Sequence, residues 1–171
     1  MCDLCDHPDL TMDGYVAGVR ERLTRERFVV VSVTGSKTQA EFSYSVGLTG
    51  YALPELIVVG LRHADAQRLV QHWGDYLLDD SLVLPGETLE SGPFDMEAIE
   101  VERPQDHLLL ADAIYGGAAR ALQLAWADDR GRWPWEADHR ARRAGQPLLG
   151  KRAPFFCDQH RPDRFDVPPH P

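Results

Sequence analysis

The chain has 171 residues, 43% of them apolar and 26% charged, with a formal net charge of −9. That length allows a single domain with a hydrophobic core of its own, and the acidic balance argues against nucleic acid as a partner. No apolar run approaches the ~18 residues needed to cross a bilayer, so no membrane partner is expected.

The N-terminal MCDLCDHPDL is acidic and has no apolar centre. It is therefore not read as a secretory signal, and the cytoplasm is the expected compartment. Arg130, Arg132, Arg140, Arg142, Arg143, Lys151 and Arg152 fall in one stretch. They are read as offsetting Asp128, Asp129, Glu136 and Asp138 rather than as a basic patch.

Thr11 or Asp13 is placed to cap a helix running to about Arg27, with Tyr15, Val16, Val19 and Leu23 at helical spacing. Gly14 and Gly18 weaken it by up to about 1 kcal/mol each relative to alanine. Residues 28–33 form a β-branched run, and a turn over 35–39 leads into a second strand, 42–48, as a hairpin. Alternation places Phe42, Tyr44, Val46 and Leu48 on one face of that strand and Ser43, Ser45 and Gly47 on the other, partly solvated face. Residues 56–61, LIVVGL, are apolar on both faces and read as a covered strand. The strands at 42–48 and 56–61 are taken as the central pair of the sheet. A second helix over 64–78 carries Leu69, Val70, Trp73, Tyr76 and Leu77 as its apolar stripe, leaving His72 and Asp75 to solvent.

Short strands are expected at 82–84, 87–90 and 95–102, followed by a helix over 107–115 capped by Asp106 and ended by Gly116 and Gly117. Residues 120–127 alternate, with Leu122, Leu124 and Trp126 on one face, and read as a further strand. The tail, PFFCDQHRPDRFDVPPHP, is proline-rich and needs an anchor to be ordered.

The sharpest chemical signal lies at the two ends. Cys2 and Cys5 form a CxxC, and Cys157 and His160 form a CxxH. Three thiolates and one imidazole match a closed, structural zinc site, with His7 as a spare candidate for the fourth position. Such a site would pin segments 1–10 and 151–171 to a single domain spanning 1–171. The competing readings are a redox pair and incidental cysteines. The first is disfavoured because Asp6, Pro8 and Asp9 separate the CxxC from the helix and add negative charge, which raises a thiol pKa.

Ser43, Tyr44, Ser45 and Thr49 supply hydroxyls but lie in no GxSxG setting, and they are read first as strand residues. Asp106-His107 and Asp138-His139 are adjacent in sequence, which does not make a catalytic dyad. Trp133-Pro134-Trp135 is a rigid aromatic segment beside Arg130 and Arg132. It would either stack a planar ligand or peptide, or pack the C-terminal segment onto the sheet. No GxGxxG, GxxxxGK[ST] or HExxH occurs.

The run F-x-Y-[ST]-V-G-L followed by P-E-L stands intact at Phe42, Tyr44, Ser45, Val46, Gly47, Leu48 and Pro54, Glu55, Leu56. With the Trp73 helix, Trp133-Pro134-Trp135 and the later Gln146-Pro147-Leu148-Leu149-Gly150, it resembles a bacterial family catalogued as a domain of unknown function. The likeness spans about residues 10–150, and the cysteine-bearing ends look like an elaboration carried by some members. The resemblance implies a single compact domain and no established activity. An apolar hairpin followed by a helix and further strands also looks like the start of the split-barrel flavin proteins. By that analogy Lys37, Ser43, Ser45, Thr49 and Arg62 would attend an FMN phosphate.

The fold expected is α+β: a twisted, mostly antiparallel sheet, open or curled into a barrel, with two main helices packed on it. The function expected is a non-catalytic module binding a protein or small molecule, with a homodimer a further possibility. Its ligand residues would be Tyr44, Ser45, Thr49, Trp133 and Trp135, and its zinc ligands Cys2, Cys5, Cys157 and His160. An FMN-dependent oxidoreductase is the alternative.

Overall fold

A computed structural model of the chain describes residues 11–79, 81–139 and 145–153. Six strands form one open, mixed sheet in the order β1-β2-β3-β6-β5-β4. They are β1 (Val29–Val33), β2 (Phe42–Val46), β3 (Glu55–Val59), β4 (Thr88–Ser91), β5 (Phe94–Glu100) and β6 (Ala121–Trp126). Three α-helices accompany them among the described residues: α1 (Met12–Leu23), α2 (His63–Leu78) and α3 (Leu109–Tyr115). The α+β class and the mostly antiparallel pairing are as the sequence indicates. The sheet does not close into a barrel, so the architecture of the flavin split barrel is not present. Its centre also differs from expectation, because β3 lies beside β6 rather than only beside β2. The β3–β6 pair is parallel, with Glu55 opposite Ala121 and Ile57 opposite Gln123.

Both faces of the sheet are covered. On one, α2 lays Leu69, Val70, Trp73 and Leu77 against Leu56, Val58, Leu122, Leu124 and Trp126. Each such side chain contributes about 1.5–3 kcal/mol on leaving water. Tyr76 departs from the expected stripe and is exposed. Phe28 closes this core at the β1 side, its ring seated against Gly74 where a methyl group would collide. On the other face α1 and α3 cover β1, β2 and β3 through Val19, Val29, Val31, Phe42, Tyr44, Val46, Ile57, Val59, Leu108 and Leu110. Residues 145–153 lie across β5 and β6 on that same face.

The element ends follow local chemistry. Thr11 caps α1, its hydroxyl accepting from Gly14 N at 3.2 Å. The helix stops at Leu23 rather than near Arg27, where Thr24 turns its hydroxyl back onto the Glu21 carbonyl. The expected strand at 82–84 is irregular, with only Val83 turned inward. The helix expected at 107–115 begins at Leu109, after a 3₁₀ turn at Pro104–Asp106. Gly116 ends it in the left-handed conformation.

Gly47 ends β2 with φ at 135°, and a Cβ there would stand 2.6 Å from Phe28 Cα and 2.8 Å from the Arg27 carbonyl oxygen. Gly47→Ala should therefore cost about 3 kcal/mol or more. Gly18, inside α1 with open space around it, gives the contrast: Gly18→Ala should stabilise by up to about 1 kcal/mol. Urea unfolding of both variants checks the pair.

Candidate functional site

At the amino-terminal ends of β3 and β6, Glu55 is fully buried. Its Oε1 accepts from Gly47 N and Thr49 N, both at 3.0 Å, and from Thr49 Oγ1 at 2.9 Å. Its Oε2 accepts from Ser45 Oγ at 2.5 Å, and that same hydroxyl oxygen accepts from Leu56 N at 2.8 Å. Backbone N–H groups two residues apart converging on one oxygen make an anion nest, here filled by the chain's own carboxylate. The arrangement holds the sharp path through Gly47 and Ala52, whose φ angles are 135° and 60°. Burial pushes the Glu55 carboxyl above its ordinary value, with the donors from Ser45, Thr49 and Gly47 opposing. Burial also raises the Tyr115 phenol nearby, followed by the negative charge of Glu55 and by Tyr51, with Arg20 opposing.

A second cluster lies towards the carboxyl end of β6. Trp133 and Trp135, flanking Pro134, stack with centroids 5.0 Å apart and planes 7° from parallel. The Arg152 guanidinium lies 3.7 Å from the Trp135 ring centroid. Its Nε and Nη2 donate to Glu97 Oε1 and Oε2 at 2.9 and 2.7 Å. The result is a ladder of carboxylate, guanidinium and two indoles, with Glu97 at its buried base and both indoles half-buried. The Trp loop is held by Glu136, which accepts from Trp133 N at 2.5 Å.

Glutamines dock the segment that brings Arg152 to this place. Gln146 matches both backbone groups of Trp126, accepting from its N–H at 2.8 Å and donating to its carbonyl at 2.9 Å. Gln123, fully buried, donates to the Pro147 carbonyl and accepts from Leu149 N. The Trp126 indole N–H donates to the Val59 carbonyl at 2.8 Å, across the gap where β3 and β6 part.

The residues singled out in the sequence fall into separate places. Tyr44, Ser45 and Thr49 do not share a surface with Trp133 and Trp135. Tyr44 is buried, its hydroxyl accepting from Leu110 N at 3.4 Å under α3. Ser43 and Ser45 face α2 and are fully buried, which corrects the solvated face expected of them. Ser43 shares a hydrogen bond with Ser32, on whose hydroxyl Gln67 also donates. Asp106 pairs with Arg103, and Asp138 with Arg132. Cys2, Cys5, His7, Cys157 and His160 lie outside the described residues. Neither Glu97 nor Glu55, which the sequence marks only as part of the P-E-L run, is a site residue on sequence grounds. The signal for Glu55 is a charge placed directly before the apolar run LIVVGL. The signal for Glu97 is a charge between Met96 and Ala98, inside an inward-facing strand.

A raised folded-state pKa means that folding favours the protonated acid. The Glu55 contribution to stability is thus greatest below the ordinary carboxylate range, and it declines as pH rises through the raised value. The urea midpoint of the wild type relative to Glu55→Gln should fall as pH is taken from about 4 to 8. Ser45→Ala should cost about 1–3 kcal/mol, since it leaves Leu56 N–H and one Glu55 oxygen without their partner.

No curated protein and no solved structure matches the chain. A family model described as a domain of unknown function, DUF4262, matches residues 22–140. The match takes in all six strands, the Glu55 network and the Trp133–Trp135 loop, and it bears out the likeness carried by residues 42–56. The chain belongs to the DUF4262 family.

Proposed function

We propose that the domain is a non-catalytic binding module that grips a protein or peptide partner with Trp133 and Trp135. The observation that carries this is the ladder itself. Two half-buried indoles are held parallel by Pro134 between them and by Arg152 behind them, and Arg152 is fixed by a two-point ion pair to buried Glu97. Tryptophan on a rigid backing offers large contact area with little conformational entropy left to lose, the character of an interface anchor. The hydroxyls of Ser45 and Thr49 are committed to Glu55, so they belong to the scaffold in this proposal, as does Tyr44.

The test is affinity capture from cell lysate with the wild type and with Trp133→Ala, both shown to be folded by circular dichroism. A partner retained by the wild type and lost by the variant is the expected result. Partners captured equally by both would overturn the assignment.

We further propose a structural zinc ion on Cys2, Cys5, Cys157 and His160. Support comes from the pattern of ligands and from the face on which the neighbouring described residues lie. α1, which follows the CxxC, and Arg152, which precedes the CxxH, both lie on the face of the sheet opposite α2. From Thr11 back to Cys5 an extended chain reaches ~20 Å, and from Ala153 on to Cys157 ~14 Å. Elemental analysis of purified protein should find about one zinc per chain, lost in Cys2→Ser and in Cys157→Ser. Zinc-free wild-type protein, purified without chelator, would remove the proposal.

A further inference from the structure

We infer that two copies of this chain pair through the outer edge of β1, antiparallel about a two-fold axis, to form one continuous sheet. β1 ends the sheet and is bonded to β2 alone among the described strands. Its sequence, Val-Val-Val-Ser-Val, has no charge, proline or glycine to blunt the edge. The opposite edge is defended: β4 is shorter, carries Glu90, follows Glu87 and is bracketed by turns at Gly86 and Gly92. Along β1, Val29 and Val31 are buried while Val30 and Ser32 are part-exposed. That alternation follows the two faces of the sheet, Val29 and Val31 lying in the core under α1 and α3 and Val30 and Ser32 on the α2 side.

The groove at this edge holds about 510 Å³ and is lined by Val29 and Val30, by Arg22 in the last turn of α1 and Glu26 beyond it, and by Gln67 and Arg68 of α2. A second copy fits it better than an unrelated strand for two reasons. The chain as a whole carries −9, yet this rim mixes both signs with neutral amides, so two acidic molecules meet here without like-charge opposition. Arg22 and Glu26, paired at 3.1 Å, also put one charge of each sign on the rim. A two-fold axis passing between them would set each sign against its opposite on the other copy. This interface is independent of the Trp133–Trp135 surface.

Sedimentation velocity on the full chain over a concentration series tests the inference. The wild type should run as a dimer within the range up to roughly 100 μM, dissociating on dilution. Arg22→Glu, which sets acid against acid across the axis, should weaken the dimer by about tenfold or more. Arg22→Glu with Glu26→Arg should restore it, which a folding defect would not do. Hydrogen exchange within β1 should slow as concentration rises. A monomer at every concentration would overturn the proposal, and so would a dimer indifferent to both charge variants.

Discussion

A carboxylate without access to water governs the middle of this fold. Glu55 opens the central strand β3, and its two oxygens collect donors from the end of β2, from the tight 3₁₀ turn after it, and from side chains on both. A buried charge is tolerated only where hydrogen bonds replace its hydration. Here the replacement comes from backbone groups that no ladder satisfies, so one side chain answers two costs at once. With the turn tied down, β2 returns beside β3 in register, Tyr44 faces α3 and Ser45 faces α2. The signature run of the family is thereby a description of one network: the hydroxyl, the glycine and the acid are its parts.

Beyond Ile57 the two central strands separate, and a different device takes over. Gln146 supplies to Trp126 the donor and acceptor that a neighbouring strand would have given. Gln123 fastens the next residues of the same segment. No helix covers β5 and β6 on this face among the described residues, so the segment and the Trp133–Trp135 loop do that work. The Glu97–Arg152 pair sits at the base of that cover, where removing either partner would strand the other with little solvent. The aromatic surface thus rests on the same contacts that close the core, and its rigidity follows from the packing beneath it.

Much of the framework was legible. The stripe of α2, the alternation of Leu122, Leu124 and Trp126, the cap at Thr11 and the stop at Gly116 each depend on neighbours a few residues away, and each stands where the pattern indicates. The misreadings share a cause. Ser43 and Ser45 look like a wet face because polarity is the only local signal, whereas burial with partners requires Glu55, Ser32 and Gln67 from distant positions. Tyr76 looks like core because the stripe is continuous, but its ring lies exposed, edge-on against Trp73 rather than in the core. The central β3–β6 pairing was likewise hidden, since parallel neighbours more than sixty residues apart leave no mark in either strand.

By itself the sequence determined the fold class, the helices and strands that short-range periodicity encodes, and the family to which the chain belongs. The order of strands, the open edges, the burial of the serines and the meeting of Arg152 with Glu97 and Trp135 were decided only in three dimensions. The physical reason is that periodicity reports which side of an element is apolar, while the partner that will cover it, or satisfy a polar group upon it, is fixed by long-range packing.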